Sequence, residues 1–132
     1  MTRRGDQGGG VVQLPIMATV FVAFASLMVF AGRVNNASSD AEAAARYAAR
    51  TISLARDPAD AITAARHDAE VAVSAGSSSC RSMSFDHELG PDSVTVTVTC
   101  VVELVAFGVP GSWTVTGRAE EPLDRWRERA DP

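Results

Sequence analysis

The sequence predicts an α+β fold: a long N-terminal transmembrane-plus-stalk helix, a second short helix, and then a three-stranded antiparallel sheet. Three observations predict it. A charge-free apolar run occupies residues 11–32, alanines recur at spacings of three and four beyond it, and after Cys80 the apolar period changes to two.

The first element is the most sharply written. No charge occurs between Asp6 and Arg33, and the run VVQLPIMATVFVAFASLMVFAG carries one strongly polar side chain, Gln13. Crossing the hydrocarbon core as a helix takes about 20 apolar residues. Valine, leucine, isoleucine and phenylalanine each favour insertion, by roughly 0.3–0.6 kcal/mol at central positions. Gln13 and Pro15 stand at the entry, where their cost is least. A soluble core helix would need a polar face, and this run has none. The rival reading is a cleaved secretory signal, whose apolar region spans only about 7–15 residues. Val29-Phe30-Ala31 would serve as its cleavage site.

Beyond Arg33 the helix is expected to continue. Ala37, Ala41, Ala44, Ala48, Ile52 and Ala55 fall on one face, and Asp40, Glu42, Arg46 and Arg50 lie opposite. Glu42 and Arg46 form a favourable i,i+4 pair. Alanine in place of leucine lets another helix or sheet approach closely, either from the same domain or from another subunit. From Val11 to Arg56 such a helix would measure about 70 Å, of which roughly 30 Å would lie in a bilayer.

Asp57-Pro58 ends it, because proline suits the first turn of a new helix and aspartate caps that turn. Ile62, Ala65, Ala69, Ala72 and Val73 give the second helix its apolar face, up to Gly76. Gly76–Ser79 is a flexible connection. In 93–105 (SVTVTVTCVVELV), Val94, Val96, Val98, Cys100 and Val102 alternate with threonines, which is a half-buried strand. Met83 and Phe85 mark a partner strand before the turn Gly90-Pro91-Asp92. After Val109-Pro110-Gly111, the residues Trp113, Val115, Gly117 and Ala119 mark a third. Strands of this kind packed on helices make an α+β unit.

With 132 residues, the chain has room for one domain once the anchor is set aside. The expected organisation is a cytoplasmic tail at 1–10, a transmembrane helix at 11–32, an extracytoplasmic domain at 33–121 and a charged tail at 122–132. Arginines flank both ends of the apolar run, so positive charge leaves its orientation open. The short N-terminal tail and the cysteine pair favour the C-terminal domain outside. Cys80 and Cys100 read most simply as one structural disulfide, two buried thiols being the alternative. Closing that loop would stabilise the fold by roughly 3 kcal/mol.

Net charge is −4 with the acidic residues dispersed, and no basic stripe is present, which disfavours nucleic acid as a partner. No constellation points to an enzyme, a cofactor, a metal or a small-molecule substrate. His67 in ARHDAE lies among helical residues, and Asp86-His87-Glu88 borders a turn; neither has spaced ligands to join it. Arg4-Gly5-Asp6 belongs to the inner tail, and Asn36-Ala-Ser38 matches a glycosylation acceptor inside a helix. Gly8-Gly9-Gly10 lacks the further spacing of a phosphate loop.

The order of features resembles the TadE-like proteins, the minor pilins or pseudopilins of tight-adherence (Tad/Flp) pilus systems, in their actinobacterial form. The resemblance rests on AARYAAR at 44–50, SLARDP at 53–58, VTVTVTC at 94–100, Val109-Pro110-Gly111 and the closing RAEEPLDRWRER, and it covers nearly the whole chain. It implies a pilin-like fold in a bacterial cytoplasmic membrane, with lipid and other pilins or Tad assembly proteins as partners. It also implies possible prepilin-peptidase processing after Gly8, with Gly9 as the new terminus. Five positions beyond Gly8 stands Gln13, where the family usually carries glutamate. Small residues at Ala18, Ala23, Ala25, Ser26 and Ala31 would let such helices pack closely. The rival classes are a membrane-tethered binding or sensor domain and a small protein released by signal peptidase.

Overall fold

A computed structural model describes residues 9–76, 80–105 and 108–123, with backbone alone for 9–12. The described chain is a long helix α1 (Gly9–Leu54), a shorter helix α2 (Pro58–Ala75), and strands β1 (Ser82–Leu89), β2 (Ser93–Glu103) and β3 (Ser112–Pro122). This is the expected α+β class. The chain divides into two compact units, Met1–Gly32 and Arg33–Pro132.

In the first unit α1 is helical from Gly9 onward, with Pro15 inside it. The hydroxyls of this segment are satisfied within the helix. Thr19 Oγ1 donates to the carbonyls of Pro15 (3.1 Å) and Ile16 (2.8 Å), and Ser26 Oγ donates to that of Val22 (2.9 Å). Side chains that hydrogen-bond their own helix carry little polar cost into an apolar medium.

The second unit begins at Arg33. Ala37, Ala41, Ala44, Ala48 and Ile52 are fully buried, and Ala45 and Ala49 join them, so the face is broader than a single stripe. Ala55 is half-buried. α1 stops at Leu54, two residues before the expected end. Asp57 then caps α2 by accepting from the Ala59 amide at 3.0 Å, and Pro58 occupies the first turn, where its missing N–H costs nothing. Ala65, Ala69 and Val73 form the buried line of α2.

The sheet has the order β1-β2-β3, with both pairings antiparallel. Its central strand alternates without a break: Val94, Val96, Val98, Cys100 and Val102 are buried, and the residues between them are half-buried. Fully burying each valine contributes about 1.5–3 kcal/mol. Phe85 enters the core from β1, opposite Val98, and Val115, Gly117 and Ala119 enter from β3. β2 ends at Glu103, before Leu104 and Val105, because the chain turns there. Leu104 N–H donates to Gly111 at 3.0 Å, and Gly108 N–H donates to Val105 at 3.0 Å. Gly108 and Gly111 hold positive φ angles of 74° and 139°, a region other residues rarely enter. The β1–β2 turn is closed by Gly90 N–H donating to Ser93 at 2.8 Å.

Two placements, with the antiparallel pairing of the sheet, fix the directions of the elements in this unit. A Cβ on Gly76, the C-cap of α2, would stand 2.7 Å from Asp40 Cγ. α2 therefore runs back along α1. The Arg66 guanidinium carbon lies 5.6 Å from the Phe85 ring centroid, although the chain between α2 and β1 is short, so β1 turns back along α2. The Arg33 entry, the start of β1 and the β2–β3 connection thus share one end of the domain. The α1–α2 bend and the Gly90-Pro91-Asp92 turn share the other, where Leu123 N–H donates to the Asp92 carbonyl at 2.9 Å.

Candidate functional site

The first candidate is the apolar part of α1. Leu14, Ile16, Met17, Val20, Phe21, Val22, Phe24, Leu27, Met28 and Val29 are all exposed. Large apolar side chains exposed all round one helix mark a surface that something must cover. α1 is long and apolar enough to cross a membrane once. Gln13 lies exposed near the start of this segment, and Gly9 is the first residue of the helix. Gly8, the Arg4-Gly5-Asp6 tripeptide, most of the Gly76–Ser79 connection and the charged end beyond Leu123 lie outside the described residues.

Cys80 and Cys100 form a disulfide, with Cα atoms 5.5 Å apart. The bond ties the segment just before β1 to the buried face of the central strand, beside the Met83–Cys100 pair. Arg81 adds an ion pair to Glu103 across the same end of the sheet. On the outer face of α1, Arg46 Nη2 lies 3.0 Å from Glu42 Oε2, the expected i,i+4 pair. Both are exposed, so the pair contributes only about 0.3–0.5 kcal/mol.

The histidines are not brought together. His67 is exposed on α2, and His87 is exposed on β1 with its ring centroid 6.1 Å from that of Phe85. Among the described residues no three His, Cys, Asp or Glu side chains are grouped as metal ligands would be. Asn36 is exposed on α1.

One contact was legible only in part. Gly117 sits against the backbone of α1, where a Cβ would overlap the Ala41 carbonyl and the Glu42 amide. A glycine inside an alternating strand signals such an approach, though not its partner. Trp113 shares the register of the buried residues, opposite Val102, yet is half exposed because it stands at the end of β3.

No protein-family model, no curated protein and no solved structure matches the chain.

Proposed function

We propose that the chain is a membrane-anchored, TadE-like minor pilin or pilus-assembly component of a bacterial Tad/Flp system. In this reading it is non-enzymatic and acts by helix packing and protein–protein contacts. The observation that carries the reading is α1 itself: one helix with an apolar, exposed first part and an alanine-faced second part that supplies seven of the eighteen described buried apolar residues of a domain core. A free-standing tether needs no such continuity. A subunit that must hand its helix from lipid to neighbouring helices does, because the helix keeps the domain attached throughout. Ala18, Ala23, Ala25, Ser26 and Ala31 supply the small side chains that permit close helix approach.

In this reading residues 11–32 lie in the cytoplasmic membrane, and the domain from Arg33 faces outward, where an oxidising environment maintains Cys80–Cys100. Gln13 sits near the membrane entry and seeks a polar partner when helices associate.

Deletion of the gene in its host, with complementation, tests the proposal. Loss of surface fibres, restored by the intact gene, is the expected result. Unchanged fibre number and length would overturn it and favour a tethered binding or sensor domain.

A further inference from the structure

We infer that Cys80 is the thiol-exchange site of the domain: a thiol from solution opens the Cys80–Cys100 bond by attacking the Cys80 sulfur, and Cys100 is the sulfur that leaves and later recloses it. This holds whether or not the chain enters a pilus, because it stands on the unequal burial of the two cysteines.

The two halves of the bond lie in different surroundings. Cys100 is fully buried on the core face of β2, between Val98 and Val102 along its own strand. Across the sheet it faces Met83 of β1 and Val115 of β3. Cys80 stands ahead of β1, packs against that core and is only half-buried. The bond therefore runs from the surface inward. Exchange depends on which sulfur the incoming thiolate can reach. A thiolate arriving from solvent reaches Cys80 with Cys100 behind it as the leaving sulfur. Attack on Cys100 would instead bring a charged, hydrated nucleophile among buried valines.

The step balances on these two residues and one thiol. The incoming thiolate forms a new S–S bond to Cys80 Sγ as the Sγ–Sγ bond breaks. The electron pair leaves on Cys100 Sγ, which then takes a proton from water. The incoming sulfur is oxidised and the Cys100 sulfur is reduced. Apolar surroundings disfavour a thiolate on Cys100, so its return attack on Cys80 is slowed and the mixed disulfide persists. The core tolerates the change, since a free cysteine packs as a small hydrophobe. Beside Cys80 the chain stays on the sheet, because Arg81 N–H donates to the Val101 carbonyl at 2.8 Å and the Arg81 side chain pairs with Glu103. The disulfide is a latch with an outer, reactive side and an inner, resolving side.

The test offers reduced glutathione to the oxidised full chain in detergent micelles, with the far-ultraviolet spectrum checking that it stays folded. Samples are quenched early with acid, free thiols are capped with N-ethylmaleimide, and tryptic peptides are mapped without reduction. Cleavage after Arg66, Arg81 and Arg118 puts Cys80 in 67–81 and Cys100 in 82–118. The expected first product carries glutathione on Cys80 and maleimide on Cys100, at least about tenfold over the reverse arrangement. In guanidinium, where neither sulfur is buried, the ratio should fall to within about threefold of unity. Glutathione chiefly on Cys100, or an equal split in the folded protein, overturns the assignment. The absence of any adduct from the folded chain, while the unfolded chain reacts, overturns it as well, since Cys80 is then out of reach. An undiminished preference for Cys80 in guanidinium also overturns it, because the fold then has no part in the choice.

Discussion

Gly117, at the centre of β3, lies against the backbone of Ala41 in α1, with no room for a side chain between them. Gly117 is also the register partner of Val98, the middle of the buried strand. The helix thus reaches the sheet through an alanine on one side and a glycine on the other. Gly117→Ala is expected to destabilise the domain by about 1–3 kcal/mol through overpacking, and Gly117→Val by more. Denaturant unfolding of the full chain in micelles, followed by tryptophan fluorescence, reads this directly. An unchanged midpoint would contradict the placement.

The alanine face predicts a contrast between neighbours on α1. Ala48 is fully buried, so Ala48→Leu adds volume to a filled site and should cost about 1–3 kcal/mol. Glu42→Ala removes only an exposed i,i+4 pair and should change stability by about 0.5 kcal/mol or less. Equal effects of the two substitutions in the same unfolding measurement would argue against a buried alanine face.

These contacts also show where sequence reasoning runs out. The helical period placed Ala37, Ala41, Ala44 and Ala48 on one face, and the valine–threonine alternation of β2 was legible residue by residue. So was the Asp57-Pro58 cap, because its chemistry is local. Burial of Ala45 and Ala49 was not legible. It follows from α1 meeting α2 at Asp40–Gly76 as well as β3 at Ala41–Gly117, and no period encodes two partners. The exposure of Trp113 escaped for a related reason: alternation gives the face of a strand, but not which positions at its ends stay uncovered. The Arg81–Glu103 pair depends on strand register, which the hydrophobic pattern alone did not specify across 81–103.

The disulfide closes a loop with a sequence separation of 20 residues. On the chain-entropy model, its loss costs roughly 3 kcal/mol. Reduction, or the double variant Cys80→Ser and Cys100→Ala, should lower the unfolding midpoint accordingly. Non-reduced peptide mapping of membrane-extracted protein should recover the 80–100 cross-link. Recovery of both thiols free would contradict a bond maintained outside the cytoplasm.

The mature N-terminus separates the modes of anchoring. Mass spectrometry of the membrane-extracted protein should find either an intact terminus or one at Gly9, both of which keep the apolar segment. A terminus at Gly32 would mean removal of that segment and release of the domain.

Orientation follows from the same reading. External protease added to spheroplasts should digest the domain beyond Arg33, under conditions that spare a cytoplasmic marker. Protection of the domain, while a known exposed protein is digested, would reverse the topology.

The central claim is that the apolar part of α1 lies in the membrane and packs there against other pilin-type helices. A photo-crosslinking residue placed at Val22 or at Phe24, both exposed on the helix, tests it in living cells of the host. The account predicts a light-dependent adduct from one of these positions to a pilin or Tad assembly protein, identified by its peptides, in the membrane fraction. Adducts to lipid alone at both positions, or recovery of the protein in the soluble fraction, would contradict it.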